Sequence, residues 1–457
     1  MRSNSMIASI AVLALTACSM NPPLERPALP VVPSYRGAAS AGAMPEWRQM
    51  LLDPALQQLV ELALANNRDL RETALNVVAV QAQYRIQDAS RLPALDASGG
   101  AIRQRLPASG WQDGSVQQQS SLGIAMSAYE LDLFGRLRSL SEAALAKYFA
   151  SVEGQRAVRL SLIAAVADAY LELRLSEAQV RLTERTLADW RLSLQLTECL
   201  HGAQQRSGVD VAQAAGQVAS AEADMQARQR ALRMAYNNLE YLIGAPIPGN
   251  LPAGAAPEHQ PVLTSLPAGL PSDLLVRRPD IMQAEQTLVA ANAEIGAARA
   301  AFFPRVSLTA SMGLGSTGIG GLFRSGSRSW SFAPQITQPI FHGGALRAEL
   351  RLAQVRSSIA VVQYERAIQN AFREVNDALA SNETYQRQIT AQERVVDAGA
   401  HREHLSALRY GAGQDSRLEL LDAQRQYYAA QSTLLDLRRE HFRSAIALYK
   451  ALGGGVG

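Results

Sequence analysis

The chain has 457 residues, is 47% hydrophobic and 19% charged, and carries a formal net charge of +3. Charge this close to balance excludes the strongly basic surface of a nucleic-acid binder, and the composition is that of a folded protein. A length near three ordinary domains is overridden by an internal duplication. A shift of 211 residues sets Asp69 on Asp280, Pro93 on Pro304 and Leu95 on Val306, and a shift of 207 sets Phe134 on Phe341. At a shift of 205, Gly208-Val209-Asp210 meets Gly413-Gln414-Asp415. A nearly constant shift means a duplicated unit of about 210 residues, each unit reading as helix, hairpin, very long helix, helix.

Residues 1–17 carry one arginine and an apolar run over 6–15. That run is too short to span a bilayer, which takes about 20 residues, and has the form of an export leader. Leu15-Thr16-Ala17-Cys18 ends it and resembles the bacterial lipobox, which would make Cys18 the lipidated N-terminus; the alternative is an ordinary signal peptide with a chance cysteine. Cys199 is then left without a disulfide partner. Residues 18–45, rich in Pro, Ala and Gly, are expected to form a lipidated, extended tether.

The first repeat is expected over 46–243. Helix starts near Glu46 or at Asp53-Pro54, where Asp caps and Pro takes the first position, with Leu56, Leu59, Val60, Ala63 and Leu64 at helical spacing. Pro93 ends this region. A hairpin follows at about 93–132. Leu95, Ala97, Gly99 and Ala101, then Leu122, Ile124, Met126 and Ala128, form its apolar face, and a polar loop spans 103–118. Residues 137–204 contain no proline and predict one helix of roughly 100 Å at 1.5 Å per residue, long enough to need partner helices along its length. A returning helix over 208–243 leads to a Pro/Gly-rich connection at 244–273.

The second repeat, 274–453, has the clearer hairpin, at about 304–341. Val306, Leu308, Ala310 and Met312 alternate with Ser307, Thr309 and Ser311. After a Gly/Ser-rich turn over 313–329, Trp330, Phe332, Ile336 and Ile340 alternate with Ser331, Ala333, Gln335 and Thr337. Pro334 and Pro339 place this last strand away from the centre of an ordinary sheet. A long helix at about 344–410 and a helix over 418–452 complete the repeat. Two hairpins make four strands, whereas membrane barrels need about eight. Strands that cross a membrane would therefore come from several chains sharing one barrel.

The fold class is thus mostly α with membrane β. The lipidation signal, Asn66-Asn67-Arg68-Asp69-Leu70-Arg71, the run from Tyr129 through Arg136, Arg278-Pro279-Asp280, Ser329-Trp330-Ser331-Phe332, Pro339-Ile340-Phe341, Leu421-Asp422-Ala423-Gln424-Arg425 and Ala451-Leu452-Gly453-Gly454-Gly455 together resemble the outer-membrane factor (TolC) family, in its OprM/OprJ/NodT-like lipoprotein branch. The resemblance spans essentially the whole chain. It implies a homotrimer with a twelve-stranded β-barrel, four strands per chain, on a long periplasmic α-helical barrel, the 244–273 connection lying in an equatorial belt. It also implies a passive exit duct of a tripartite efflux pump for drugs or other small toxic compounds. Its partners would be a periplasmic adaptor, an inner-membrane RND-type pump and outer-membrane lipid.

Leu418, Asp422 and Arg425, at i, i+4 and i+7, share one helix face and match family residues that narrow the periplasmic mouth. Three Asp422 carboxylates about 6 Å apart repel by about 0.7 kcal/mol per pair in water, and Arg425 one turn on would relieve that strain. The alternative for these residues is a surface ion pair worth about 0–1 kcal/mol. The first repeat departs from the family pattern at 205–210, with Ala215 near the position matching Asp422. His401 with His404, and Cys199 with His201, fall short of the three or four ligands of a metal site, and exposed helix histidines are the expectation. No catalytic motif is present, so an enzyme is not expected, nor any cofactor beyond the lipid on Cys18. A lipid-anchored periplasmic helical scaffold or adaptor without a pore is the alternative from another class. It has no use for a lipid-facing strand band.

Overall fold

The computed structural model describes residues 20–25, 27–28, 30–31, 44–105, 116–252, 260–267 and 278–455. The leader, Cys18, most of the tether, the centre of the first hairpin loop and residues 253–259 and 268–273 of the 244–273 connection lie outside the described residues. The described elements are α1 (Trp47–Met50), α2 (Pro54–Asn66), α3 (Arg68–Ala89), β1 (Asp96–Arg105), β2 (Val116–Leu131), α4 (Arg136–Gly202), α5 (Gly208–Ile243), α6 (Pro279–Ala300), β3 (Arg305–Ser316), β4 (Arg328–Thr337), α7 (Ala345–Gly411) and α8 (Arg417–Ala451). Helices α3 and α6 have 22 residues each, and α4 and α7 have 67 each. The chain forms two compact units, 1–28 with 76–152 and 283–364, and 29–75 with 153–282 and 365–457, so each unit draws on both repeats.

The first unit holds the sheet, antiparallel in the order β1-β2-β3-β4. Its strands reach further into the loops than composition suggested, to Arg105 and Ser316, because backbone pairing continues through Gly315 and Ser316 to Ser121 and Ser120. Ile340 falls beyond β4, 93% exposed. In β2 the register shifts between Met126 and Tyr129, which pair with Ala310 and Leu308. One extra residue is thereby inserted in β2, and Ala128 takes a left-handed φ of 51°. The bulge removes Ala128 from the expected apolar row, and Tyr129 takes its place.

In the second unit both expected helix starts occur. Glu46 caps α1, and the Asp53 side chain accepts from Ala55 N with Pro54 at the first turn of α2. Asp53 is itself buried and accepts a 2.6 Å hydrogen bond from the Tyr170 hydroxyl. Burial, reinforced by that carboxylate, raises the Tyr170 pKa. Leu56, Leu59, Val60 and Ala63 are all buried, worth about 1.5–3 kcal/mol for each large side chain. Asn67 ends α2 and starts α3, since its side chain accepts from Leu70 N and donates to Leu242 O.

Helices α4 and α8 run antiparallel along a polar ladder. Asp168 faces Arg443 at 3.4 Å, Glu172 faces Arg439 at 3.0 Å, Gln179 donates to Asp436 at 2.8 Å, and Thr183 meets the Tyr428 hydroxyl at 2.8 Å. Steps of four, seven and four residues along α4 keep one face on its neighbour, as in a coiled coil. No described helix is long and apolar enough to cross a membrane.

Candidate functional site

Two surfaces carry the chemistry, one in each unit. The first is the sheet. Directly paired residues of antiparallel strands point to the same face, so the register sorts the side chains. Ala97, Leu122, Ile124, Leu308, Met312, Trp330, Phe332 and Ile336 occupy one face. Ser98, Ser121, Ser307, Thr309, Ser311, Ser329, Ser331 and Gln335 occupy the other. The apolar face is open, with Trp330 79% and Met312 71% exposed. β1 and β4 are exposed along their whole length, and among the described residues each has a neighbouring strand on one side only. Pro334 sits on such an edge strand, where a missing backbone donor is tolerated. At the strand roots the Phe134 and Phe303 rings stack at 4.8 Å, and Arg136 forms a two-point bond with Glu130.

The second surface is the pair of helical turns that join α4 to α5 and α7 to α8. Leu418, Asp422 and Arg425 lie together on the open side of α8, opposite buried Leu420, Leu421 and Ala423. Leu418 is 63% exposed. Asp422 is partnered within the chain by Arg402 of α7 at 2.8 Å, not by Arg425. Arg402 also binds Glu419 at 2.7 Å and the Gln426 side chain at 2.7 Å, and Gln426 donates back to Asp422 at 3.0 Å. Hydrogen bonds to Glu419 and then Asp422 raise the Arg402 pKa. Among the described residues Arg425 has no ion pair. Side chains this open to water form screened pairs that orient one another more than they stabilise the fold.

Beneath this network a second cluster joins the two turns. The Arg206 guanidinium lies 4.1 Å from the centre of the Tyr410 ring, and that of Arg417 lies 5.4 Å from it. Arg206 donates to Tyr410 O, and Arg417, 5% exposed, donates to Ser193 Oγ at 2.8 Å. The cluster combines cation–π contacts with a buried cation that meets no carboxylate among the described residues. Sequence reasoning read Tyr410 as a packing residue and missed the roles of Arg206, Arg402 and Arg417 because their partners lie on other helices. The local signal of Arg402, Tyr410 and Arg417 is proximity to Gly411 and Gly413, and that of Arg206 is proximity to Gly202 and Gly208.

The structure also corrects the alignment of the turns. Gly208-Val209-Asp210 is the first turn of α5, whereas Gly413-Gln414-Asp415 precedes α8. Ser207 corresponds to Ser416 as helix cap, a shift of 209, and the counterpart of Asp422 is Gln213 rather than Ala215. Cys199 is a free, exposed thiol, His401 and His404 are exposed, and no metal-binding group of three is found among the described residues.

A four-stranded antiparallel sheet with one apolar face, together with two 67-residue helices, is the arrangement of an outer-membrane channel protein. The family model "Outer membrane efflux protein" matches residues 59–245 and 270–454, and the chain belongs to that family. It is 46% identical over 457 residues to the solvent efflux pump outer membrane protein SrpC of Pseudomonas putida, covering 97% of each chain. To OprJ of Pseudomonas aeruginosa it is 42% identical over 455 residues, covering 98% of this chain and 95% of that one. The open-state MtrE channel of Neisseria gonorrhoeae superposes with a TM-score of 0.89 at 40% identity, over 96% of this chain and 98% of that one. The protein is an outer-membrane efflux channel component, a transport duct rather than an enzyme.

Proposed function

We propose that three copies join their sheets edge to edge into one twelve-stranded barrel continued by an α-helical duct, through which small toxic compounds leave the cell. The observation that carries this reading is the sheet itself. In hydrocarbon each unpaired backbone group on its two open edges would cost several kcal/mol, and closure with neighbouring copies removes both edges. It also turns the apolar face to lipid and the Ser/Thr/Gln face to water. A poreless scaffold gives these two faces no purpose. By likeness to SrpC, the cargo includes organic solvents, delivered by an inner-membrane RND-type pump through a periplasmic adaptor. Acylation at Cys18 adds a lipid anchor.

The same reading makes Leu418, Asp422 and Arg425 the narrowing of the periplasmic mouth. Arg402 holds Asp422 in place, so that separation of the three α8 turns breaks few strong contacts. Deletion of the gene from a solvent-tolerant host tests the cargo. Sensitivity to toluene that the intact gene reverses is expected, and tolerance unchanged by deletion in a host with no second such channel would refute it.

A further inference from the structure

The stretch that follows Cys18 is not wholly a loose tether. Asn21 Nδ2 donates to Glu142 Oε2 at 2.6 Å, and Ser139 Oγ donates to Asn21 Oδ1 at 2.8 Å. Asn292 Nδ2 donates to Pro22 O at 2.8 Å, and Arg299 Nη1 reaches Met20 O at 3.5 Å. The three residues thus strap α4 of the first repeat to α6 of the second. Gly296 makes room for the strap. A methyl group there would stand 1.7 Å from Asn21 Oδ1, 2.8 Å from its Cγ and 2.9 Å from its backbone nitrogen. Gly296 is an ordinary helical residue of α6, so what it supplies is vacant volume rather than an unusual backbone angle.

The slot lies at the roots of the strands. Ser139 and Glu142 belong to the first two turns of α4, which begins five residues after β2 ends, and Arg299 is next to the last residue of α6, six residues before β3 begins. Two helical turns span about 11 Å. Cys18 precedes Asn21 by three residues, a reach of roughly 10 Å at most. We propose that the slot formed by Ser139, Glu142, Asn292, Gly296 and Arg299 is a positioning site for the acylated N-terminus. It holds the lipid-bearing end at the level where the apolar face of the sheet begins, so that acyl chains and sheet meet the same leaflet. This rests on the acylation of Cys18 proposed above.

The test uses the full-length, processed protein in phospholipid vesicles, with Cys199→Ala and a nitroxide on Met20→Cys; acylation blocks the Cys18 sulfur. The label is expected to be immobilised in this parent and to tumble several-fold faster in Gly296→Leu and in Asn21→Ala, with the acyl mass and the single-channel conductance unchanged. Asn21→Ala leaves the helices intact and guards against a folding defect in Gly296→Leu. A label that tumbles freely in the parent, or equally slowly in both variants, would overturn the slot. Absence of acyl mass from the parent would overturn its role as a lipid-positioning site, while the conductance recorded on the same sample reports separately on the channel.

Discussion

The two helical turns of the second unit have the same backbone and different chemistry. Ala203 N, Gln204 N and Gln205 N donate to the carbonyls of Cys199, His201 and Leu200. At 209 residues' distance Ala412 N, Gly413 N and Gln414 N donate to those of Leu408, Tyr410 and Arg409. Each turn then passes to a serine cap whose hydroxyl accepts from the third helical nitrogen. Yet Arg402, Leu418, Asp422 and Arg425 correspond to Ser193, Val209, Gln213 and Gly216. Backbone hydrogen bonds and the serine cap shape both turns alike, which left the side chains of one copy free to carry charge at these positions and those of the other to stay neutral.

If that division of labour is right, the largest effect follows from removing charge at the second turn. Asp422→Ala with Arg425→Ala is expected to raise single-channel conductance several-fold, whereas Gln213→Ala with Gly216→Ala leaves it unchanged. Equal responses of the two pairs would erase the distinction. Next in size is the junction the turns share. Tyr410→Ala removes a buried ring and two cation contacts, a loss of about 3 kcal/mol. Amide exchange in both turns is expected to accelerate together, and acceleration confined to the second would contradict a shared junction.

A smaller effect separates the backbones. Gln204 has a φ of 60° where its counterpart Gly413 has 71°, a left-handed conformation that costs a residue with a Cβ about 1 kcal/mol. Gln204→Gly is therefore expected to stabilise the first turn by about 1 kcal/mol, and Gly413→Gln to weaken the second comparably, both read by amide exchange.

The smallest effect lies away from both turns. Among the described residues one Asp168 oxygen is buried with no hydrogen-bond partner, and the other faces Arg443 at 3.4 Å. Burial outweighs the arginines and raises the Asp168 pKa. A carboxyl with a raised folded-state pKa binds its proton more tightly when folded, so its contribution is fullest below pH 3.8 and is lost as pH rises through the folded value. Asp168→Asn is expected to raise thermal stability slightly at pH 7, with the advantage shrinking on acidification. An advantage that grows in acid would refute this.

Much of the architecture was legible because it rests on local pattern. Alternation marked the strands from Ala97 to Met126 and from Val306 to Ile336, and Asp53-Pro54 marked a helix start. The i, i+4, i+7 spacing put Leu418, Asp422 and Arg425 on one face. What could not be read depends on contacts distant in sequence. The Ala128 bulge is a register adjustment between two strands, invisible in the alternation of either. Arg402 reaches Asp422 from another helix, so the nearby Arg425 was the natural but incorrect partner. The Gly-x-Asp likeness at a shift of 205 outweighed the serine caps, and only the hydrogen bonds of the turns reveal the true register. Asn21 sits in a stretch whose Pro/Ala/Gly composition reads as tether, while its binding slot is made by residues more than a hundred positions away.

The central claim, that separate four-stranded sheets close into one duct, is tested most directly by reconstituting the purified protein in a planar bilayer while measuring the particle's mass. A trimeric particle that inserts and conducts steadily is the predicted result. A monomer or dimer that binds the membrane surface without conducting would contradict it.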